Sequence, residues 1–479
     1  MIIRNERNVC GALCRIQSRT VGKLYDLIPS QQNIYMLVKF SFHKQIVQIP
    51  SAFAVDKDVD FDLLTKALNI EYARNDSLRL RFAVVDGKIK QYFLDEVRVN
   101  SVPVLHFKTK EEQEAYFEKD ARRPIRFMKD EIFRLFFYVG YNGYKGVYCN
   151  CTHLAMDAMG IMVFFLDLLA VYRALATGEA LPEPLYSYED YIVKELERAT
   201  NPGRLKKGED FYKAYFANGG EPFYAGVHGP ELLEKERRKK HKPDLHVTSA
   251  AYAPRNARAK VLQIPIPREE GEKIFNWCRD HDVAPETLFT FAIRTYCSAI
   301  NYRTEDVFWN MMCGKRITFK DFRTGGCMAQ TLQVRTRIPE TATFMEGIKE
   351  VFLVRTQLFR HLSYPFVYAR GMLMKMYGHT ATQGVAAFMF SWLPLPVTEL
   401  GDLKLEFKTY SPGYYFNPLY AICYPDPQTG GIMMHYMYRD KVVSADNVRN
   451  LHDQMVKIIL RGIDDPDVTV GALMDAVER

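Results

Sequence analysis

The chain has 479 residues, room for roughly two to three domains of ~150 residues each. Its 48% hydrophobic and 25% charged residues are ordinary globular fractions, which excludes a disordered, collagen-like or other low-complexity chain. The net charge of +7 suits acidic partners such as nucleotides, coenzyme phosphates or acidic protein helices, and falls short of the dense basic stripe of a nucleic-acid binder.

Arg4, Glu6 and Arg7 interrupt residues 1–20, which lack the apolar core of a secretory signal and read as an N-terminal extension of a cytoplasmic protein. Residues 27–40 carry Pro29 near their start and read as a helix. In 61–75 the apolar Phe61, Leu64, Leu68 and Tyr72 recur three and four apart, which predicts an amphipathic helix. Strands are expected over 78–85 and 89–93, joined by the turn dipeptide Asp86-Gly87, and again over 132–139 and 146–150. Cys149 and Cys151 alternate on one face of the last strand and read as core thiols.

A long apolar helix over 158–176 stops at Thr177-Gly178. Its longest uninterrupted apolar run, 158–166, is closed by Asp157 and Asp167, so no membrane span is expected. The proline-bearing stretch 181–189 (LPEPLYSYE) suggests a boundary that separates 21–183 from 184–479. The basic cluster 234–242 (EKERRKKHK) reads as a solvated loop or helix face. Helices follow over 268–280 and 285–300, strands near 307–312, 330–337, 386–392 and 431–438, and a closing helix over 446–460. The class is mixed α/β. Nine cysteines, an odd number spread from Cys10 to Cys423 with Cys10 and Cys14 unmatched and no CxxC, predict free thiols in a reducing compartment and no zinc site.

No GxxxxGK[ST], GxSxG, HExxH or GxGxxG occurs, which lowers nucleotide hydrolysis, elbow-type serine chemistry and zinc proteolysis. Residues 149–160 read CNCTHLAMDAMG: a strand delivers His153, and Asp157 follows four residues later at a helix start. On these letters alone, a helix-capping aspartate after a buried histidine accounts for the spacing as well as a catalytic pair does. Six further stretches stand in a fixed order around it. Residues 31–37 (QQNIYML) resemble QxR(L/M)(W/Y)xL with Asn33 in the arginine position, and 74–82 (RNDSLRLRF) resemble RHExLRTxF. Tyr188-Glu189-Asp190-Tyr191 matches YxD(F/Y), and 326–335 (GCMAQTLQVR) resemble GxFVNTxxxR. Residues 361–366 (HLSYPF) resemble HQDYPF, and Phe416-Asn417-Pro418-Leu419 stands where RNPL is expected. With 152–158 similar to HHxxxDG, the chain resembles the condensation domains of nonribosomal peptide synthetases over residues 21–465. These domains belong to the wider HxxxD, chloramphenicol acetyltransferase-like superfamily of coenzyme-A-dependent acyltransferases.

That resemblance implies two mixed-sheet halves in a V with an active-site tunnel between them. It implies transfer of an acyl group from a phosphopantetheine thioester, on coenzyme A or a carrier protein, to a small amine or alcohol. No cofactor is bound permanently, and no metal, nucleic acid or membrane partner is implied. Because the sequence shows no adenylation, reductase or carrier motif, a standalone protein is expected. His153 matches the histidine that serves the family as base or positioning residue, and it suits the role of base because an imidazole of pKa ~6.5 is mostly neutral at pH 7. Asp157 is expected to be structural, pairing with an arginine that the family places about ten residues before the motif glycine, which selects Arg316; capping of the helix from Ala158 is the competing role. Thr152, Ala158, Gly160 and Asn417 are expected to line the tunnel, with Thr152 replacing a structural histidine and Ala158 replacing a glycine. A bulky side chain at Ala158 or Gly160 is expected to impair turnover more than folding. The alternative is a catalytically idle module of the same fold that recruits a carrier or protein partner; epimerisation and cyclisation are further alternatives, though cyclising variants carry aspartate where His153 stands.

Overall fold

The computed structural model describes residues 6–9, 12–17, 23–56, 58–129, 132–393, 399–400, 403–426 and 429–478. Contacts divide the chain into two α/β units. The first comprises Met1–Asn201, Gly314–Gln330 and Val397–Gly413; the second comprises Pro202–Cys313, Thr331–Pro396 and Tyr414–Arg479. The expected division at residue 183 is a single cut, whereas these units are interleaved. Cys10 lies outside the described residues, as does half of the 1–20 extension. Of that extension the strands Glu6–Val9 and Ala12–Gln17 pair with each other, and the second pairs with Glu96–Ser101.

The first unit is built on a six-stranded sheet in the order Glu399–Leu400, Leu403–Thr409, Gln48–Val55, Lys145–Thr152, Phe133–Val139 and Val104–His106. All neighbours are antiparallel except the last pair. Alternation of side chains across the pleat sends Phe136, Tyr138 and Tyr148 to one face, where they pack with Phe107, Phe117 and Tyr410 around the helix Lys110–Ala121. The opposite face sends Phe53 against Phe165 and Phe137 against Phe61, stacked pairs that seat the helices Ala158–Thr177 and Phe61–Arg74. The hairpin turn is as expected: Asp86 and Gly87 both have positive φ, 51° and 72°, which an Asp-Gly pair tolerates.

The helix Ala158–Thr177 is long and apolar enough, at a mean hydropathy of 1.8, to pass a membrane-span test. Its position explains that composition. Half of it is buried in the unit, and Asp167 within it accepts two hydrogen bonds from Arg74, at 2.7 and 2.9 Å. Gly178, at φ 77°, closes the helix by donating its N–H to the Ala174 carbonyl. Beside this ion pair Glu71 is fully buried, with Asn75 Nδ2 donating to its Oε1 at 3.1 Å. Burial, reinforced by the neighbouring Asp167, pushes the Glu71 carboxyl well above its ordinary range.

The second unit carries a six-stranded sheet in the order Ala259–Ile266, Ile432–Arg439, Leu419–Pro425, Met389–Trp392, Asp306–Gly314 and Ala329–Arg337. Met389–Trp392 runs parallel to both of its neighbours, which makes the sheet mixed. The helices Arg268–Asp280, Pro285–Ile300, Phe344–Arg360 and Ala445–Asp464 contribute to its large core. The basic cluster is the helix Glu231–Lys240 running into a loop, with Arg237 paired to Glu234 and Lys240 to Glu236.

One helix seat in the first unit is made by glycine. A Cβ at Gly160 would stand 2.4 Å from the Gly326 carbonyl oxygen. Gly326 itself has φ 89°, and a Cβ there would meet the Tyr188 ring at 2.3 Å. Gly160 is therefore a close-packing position, where a larger side chain acts on folding as well. Gly160→Ala should lower stability by roughly 1–3 kcal/mol, read as a urea midpoint, because the obstacle is backbone; an unchanged midpoint would contradict the seat. A second prediction concerns pH. Glu71 has a folded pKa above its unfolded value of 4.5, so its contribution to stability is complete below that value and is lost as pH rises toward the folded pKa. Glu71→Gln keeps the acceptor for Asn75 and removes the ionisable proton. It should stabilise the protein by roughly 1–3 kcal/mol near pH 8 and flatten stability against pH above pH 4.5; a variant no more stable there would show that Glu71 is not held neutral.

Candidate active site

His153 follows the last residue of the strand Lys145–Thr152, and the backbone around it is fixed before the side chain is considered. Thr152 N–H donates to the Ile132 carbonyl at 2.9 Å and His153 N–H to the Val47 carbonyl at 2.7 Å. The buried Gln31, from the first motif, donates through Nε2 to the Leu154 carbonyl at 3.0 Å and to Gln91 Oε1 at 2.7 Å. Its Oε1 accepts the Ile28 N–H at 3.1 Å. The loop that presents His153 thus has no unspent freedom at 152, 153 or 154.

In the half-buried His153 ring, the pull of the residue's own backbone carbonyl favours the proton on Nδ1, the ring nitrogen nearer the main chain. Nδ1 also stands 3.7 Å from Cys327 Sγ. Among the described residues nothing hydrogen-bonds Nε2. Burial lowers the His153 pKa below 6.5, and the opposing pull of Asp157 and of the ring's own carbonyl does not reverse that. With its pKa held below 6.5 the ring is neutral at pH 7, and a proton on Nδ1 leaves Nε2 the lone pair that a general base requires.

Asp157 is buried and uses both carboxylate oxygens. Oδ1 accepts from Gly160 N–H at 2.7 Å, which caps the helix, and from Arg316 Nη2 at 2.9 Å; Oδ2 accepts from Met328 N–H at 2.7 Å. The two roles set against each other from sequence coexist on one side chain, since an ionised carboxylate offers about four acceptor sites. Burial opposes its ionisation, but Arg316 and the two backbone N–H groups prevail and hold its pKa below the ordinary value. Arg316 also donates to the carbonyls of Asp321, Thr324 and Gly326, at 2.8, 2.9 and 3.1 Å. Next to it, the buried Lys315 pairs with Glu195. A wrap of residues 314–330 is thereby fastened to the histidine loop.

The other predicted residues divide. Thr152 is buried, with Oγ1 accepting from Leu154 N–H, and is part of the loop's scaffold. Ala158 is half-buried and opens the helix in right-handed backbone, where glycine has no advantage. Asn417 belongs to the second unit, where its Oδ1 accepts from Asn310 and its Nδ2 donates to Met389 Sδ and Tyr415 Oη. Asp76, inside the second motif, caps the helix Tyr188–Thr200 by accepting from Ser187 Oγ and from the N–H groups of Tyr188 and Glu189. Arg335 is an ion-paired anchor on Asp306, and His361 stacks on Phe211 at 4.0 Å. The residues the sequence reading passed over are Gln31 and Cys327. Both lie inside quoted motifs, but nothing in the letters says that they reach the histidine loop.

The Cys149 and Cys151 thiols are buried and pushed up by burial, which rules them out as thiolates near neutral pH. Among the described residues no group of three or more His, Cys, Asp or Glu could hold a metal ion.

With this geometry in place, comparisons with known proteins are informative. The Condensation domain family model matches residues 21–477. Surfactin synthase subunit 1 of Bacillus subtilis (strain 168) is 20% identical over 460 residues, covering 94% of this chain and only 12% of the longer protein. The starter condensation domain of rhizomide synthetase, solved in complex with C8-CoA, superposes with a TM-score of 0.77 at 15% identity, covering 94% of this chain and 97% of that one. A complex of the X-domain and OxyB from teicoplanin biosynthesis gives a TM-score of 0.73 at 17% identity, with 97% of each chain covered. The chain belongs to the condensation-domain family.

Proposed function

We propose that this chain transfers an acyl group from a phosphopantetheine thioester to an amine or alcohol, with His153 as general base. The observation that carries the reading is the part-buried imidazole, its pKa lowered by burial, whose Nδ1 faces Cys327 Sγ and whose Nε2 no described residue hydrogen-bonds. As the acceptor attacks the thioester carbonyl, its proton passes to Nε2, the new C–N or C–O bond forms, and the tetrahedral intermediate collapses with release of the thiol, which takes up a proton. Assistance of this kind contributes typically 10² to 10⁴ in rate. No protein nucleophile is needed. Asp157 is not a proton carrier in this scheme: ion-paired and ionised, it holds the histidine loop in shape. Thr152, Ala158, Gly160 and Asn417 are structural supports in this reading, although Ala158 is exposed enough to touch a ligand as well.

Coenzyme A and a carrier protein present the same phosphopantetheine arm, and the C8-CoA complex of the rhizomide neighbour supports the thioester donor. Kinship to Surfactin synthase supports nonribosomal peptide chemistry. The complex of the X-domain with OxyB favours a second reading, in which a condensation-like module recruits a protein partner without catalysis; the intact His153 and Asp157 weigh against it.

Two experiments follow. His153→Ala should abolish transfer, measured as thioester loss from acyl-coenzyme A and acyl-carrier panels with candidate amines and alcohols, while the unfolding midpoint stays close to wild type. Retention of more than about a tenth of turnover would remove the base assignment. Asp157→Asn and Arg316→Met should each cost ~3–5 kcal/mol because a charge is left buried and unpaired, whereas loss of a cap alone costs ~1. The double variant should fall well short of the sum. Additive denaturant midpoints would mean that the ion pair does not hold the loop.

A further inference from the structure

Cys327 lies on the wrap of residues 314–330, immediately after Gly326, and it is fully buried. Its position is held from both sides. Tyr188 Oη donates to the Cys327 carbonyl at 2.9 Å, and the next residue, Met328, donates its N–H to Asp157. The sulfur therefore stands 3.7 Å from His153 Nδ1 for the same reason that Asp157 is held in place. Burial keeps the thiol protonated, so it is neither a nucleophile nor a counter-ion. What remains is a neutral, soft atom, a weak donor and a weak acceptor, beside Nδ1 of the imidazole.

We propose that Cys327 is a positioning residue for His153: its sulfur closes the Nδ1 edge of the ring, keeps water from that edge, and so holds the proton on Nδ1 and the lone pair on Nε2. The proposal rests on the reading of His153 as general base. It explains why a thiol suits this place. A hydroxyl donates far more strongly, and an O–H directed at Nδ1 would drive the proton to Nε2 and silence the base. A methyl group would leave space for water, which can donate to either nitrogen.

The test reads the ring directly. Protein labelled with [15N]histidine, with His153 assigned through His153→Ala, should show His153 as the Nδ1–H tautomer in long-range proton–nitrogen spectra. Cys327→Ala and Cys327→Ser should both give measurable Nε2–H tautomer, and should lower kcat roughly three- to tenfold, the range expected for loss of one weak contact, with KM for the thioester donor moved less than about twofold. Serine is nearly the size of cysteine and carries the test if the alanine variant does not fold. Unchanged tautomer and unchanged kcat in the folded variants would overturn the proposal. A changed tautomer with unchanged kcat would leave Cys327 as the residue that sets the ring and would remove His153 as the base, so the two ideas fail separately.

Discussion

The carboxylate of Asp157 is the point on which the site depends. It sits between three donors, one from its own helix and two from residues 314–330, and it is matched by one guanidinium. In a buried place such an arrangement tolerates no partial occupancy: removing one partner leaves a charge without water or counter-charge, at a cost of ~3–5 kcal/mol. The sequence distance it closes is large. Asp157 and Arg316 are 159 residues apart, and their contact brings Gly326, Cys327 and Met328 against the loop that carries His153. The histidine itself makes few contacts. Its position follows from what the aspartate holds and from the carbonyls on either side of it.

The site contains two kinds of group with opposite electrostatics. Asp157 is kept ionised by a cation and hydrogen bonds despite its burial, while His153 is kept neutral by burial despite the nearby carboxylate. In the proposed reading the aspartate serves geometry and the imidazole serves proton transfer. The field of Asp157 pulls the imidazole pKa upward, but burial outweighs it, while Arg316 keeps the carboxylate itself ionised. In the proposed scheme the base acts on the acceptor and no protein nucleophile is needed, and the buried thiols in the neighbourhood stay protonated.

Much of the fold was legible where local chemistry decides it. The helices Arg268–Asp280 and Pro285–Ile300 fall on the residues expected, because an apolar stripe and a proline at the first turn are local features. The expected strand over 386–392 is shorter, Met389–Trp392. Other elements were hidden. The strand Gln48–Val55 lies between two partners in the first unit's sheet but contains Pro50, which argues against a central strand in any local reading. The strand Leu403–Thr409 joins that sheet by pairing with residues some 350 positions earlier in sequence, and no periodicity announces such a partner. In the site, spacing alone left His153 and Asp157 open between a cap and a catalytic loop. Order among seven motifs, rather than any one of them, pointed to the family and to Arg316. The packing of Gly160 was not legible because a close approach of two backbones has no trace in the letters, and Cys327 was passed over because its contact with His153 spans 174 residues.

The central claim is that a neutral, Nδ1-protonated His153 accepts the proton at Nε2. The most direct measurement is the pH dependence of kcat/KM for acyl transfer alongside the NMR titration of the His153 ring in the free protein. The two should share one midpoint, and it should lie below 6.5, since burial disfavours the imidazolium and activity is lost as pH falls through the ring's pKa. An acid limb at or above 6.5, or a His153 titration that does not coincide with it, would contradict the account.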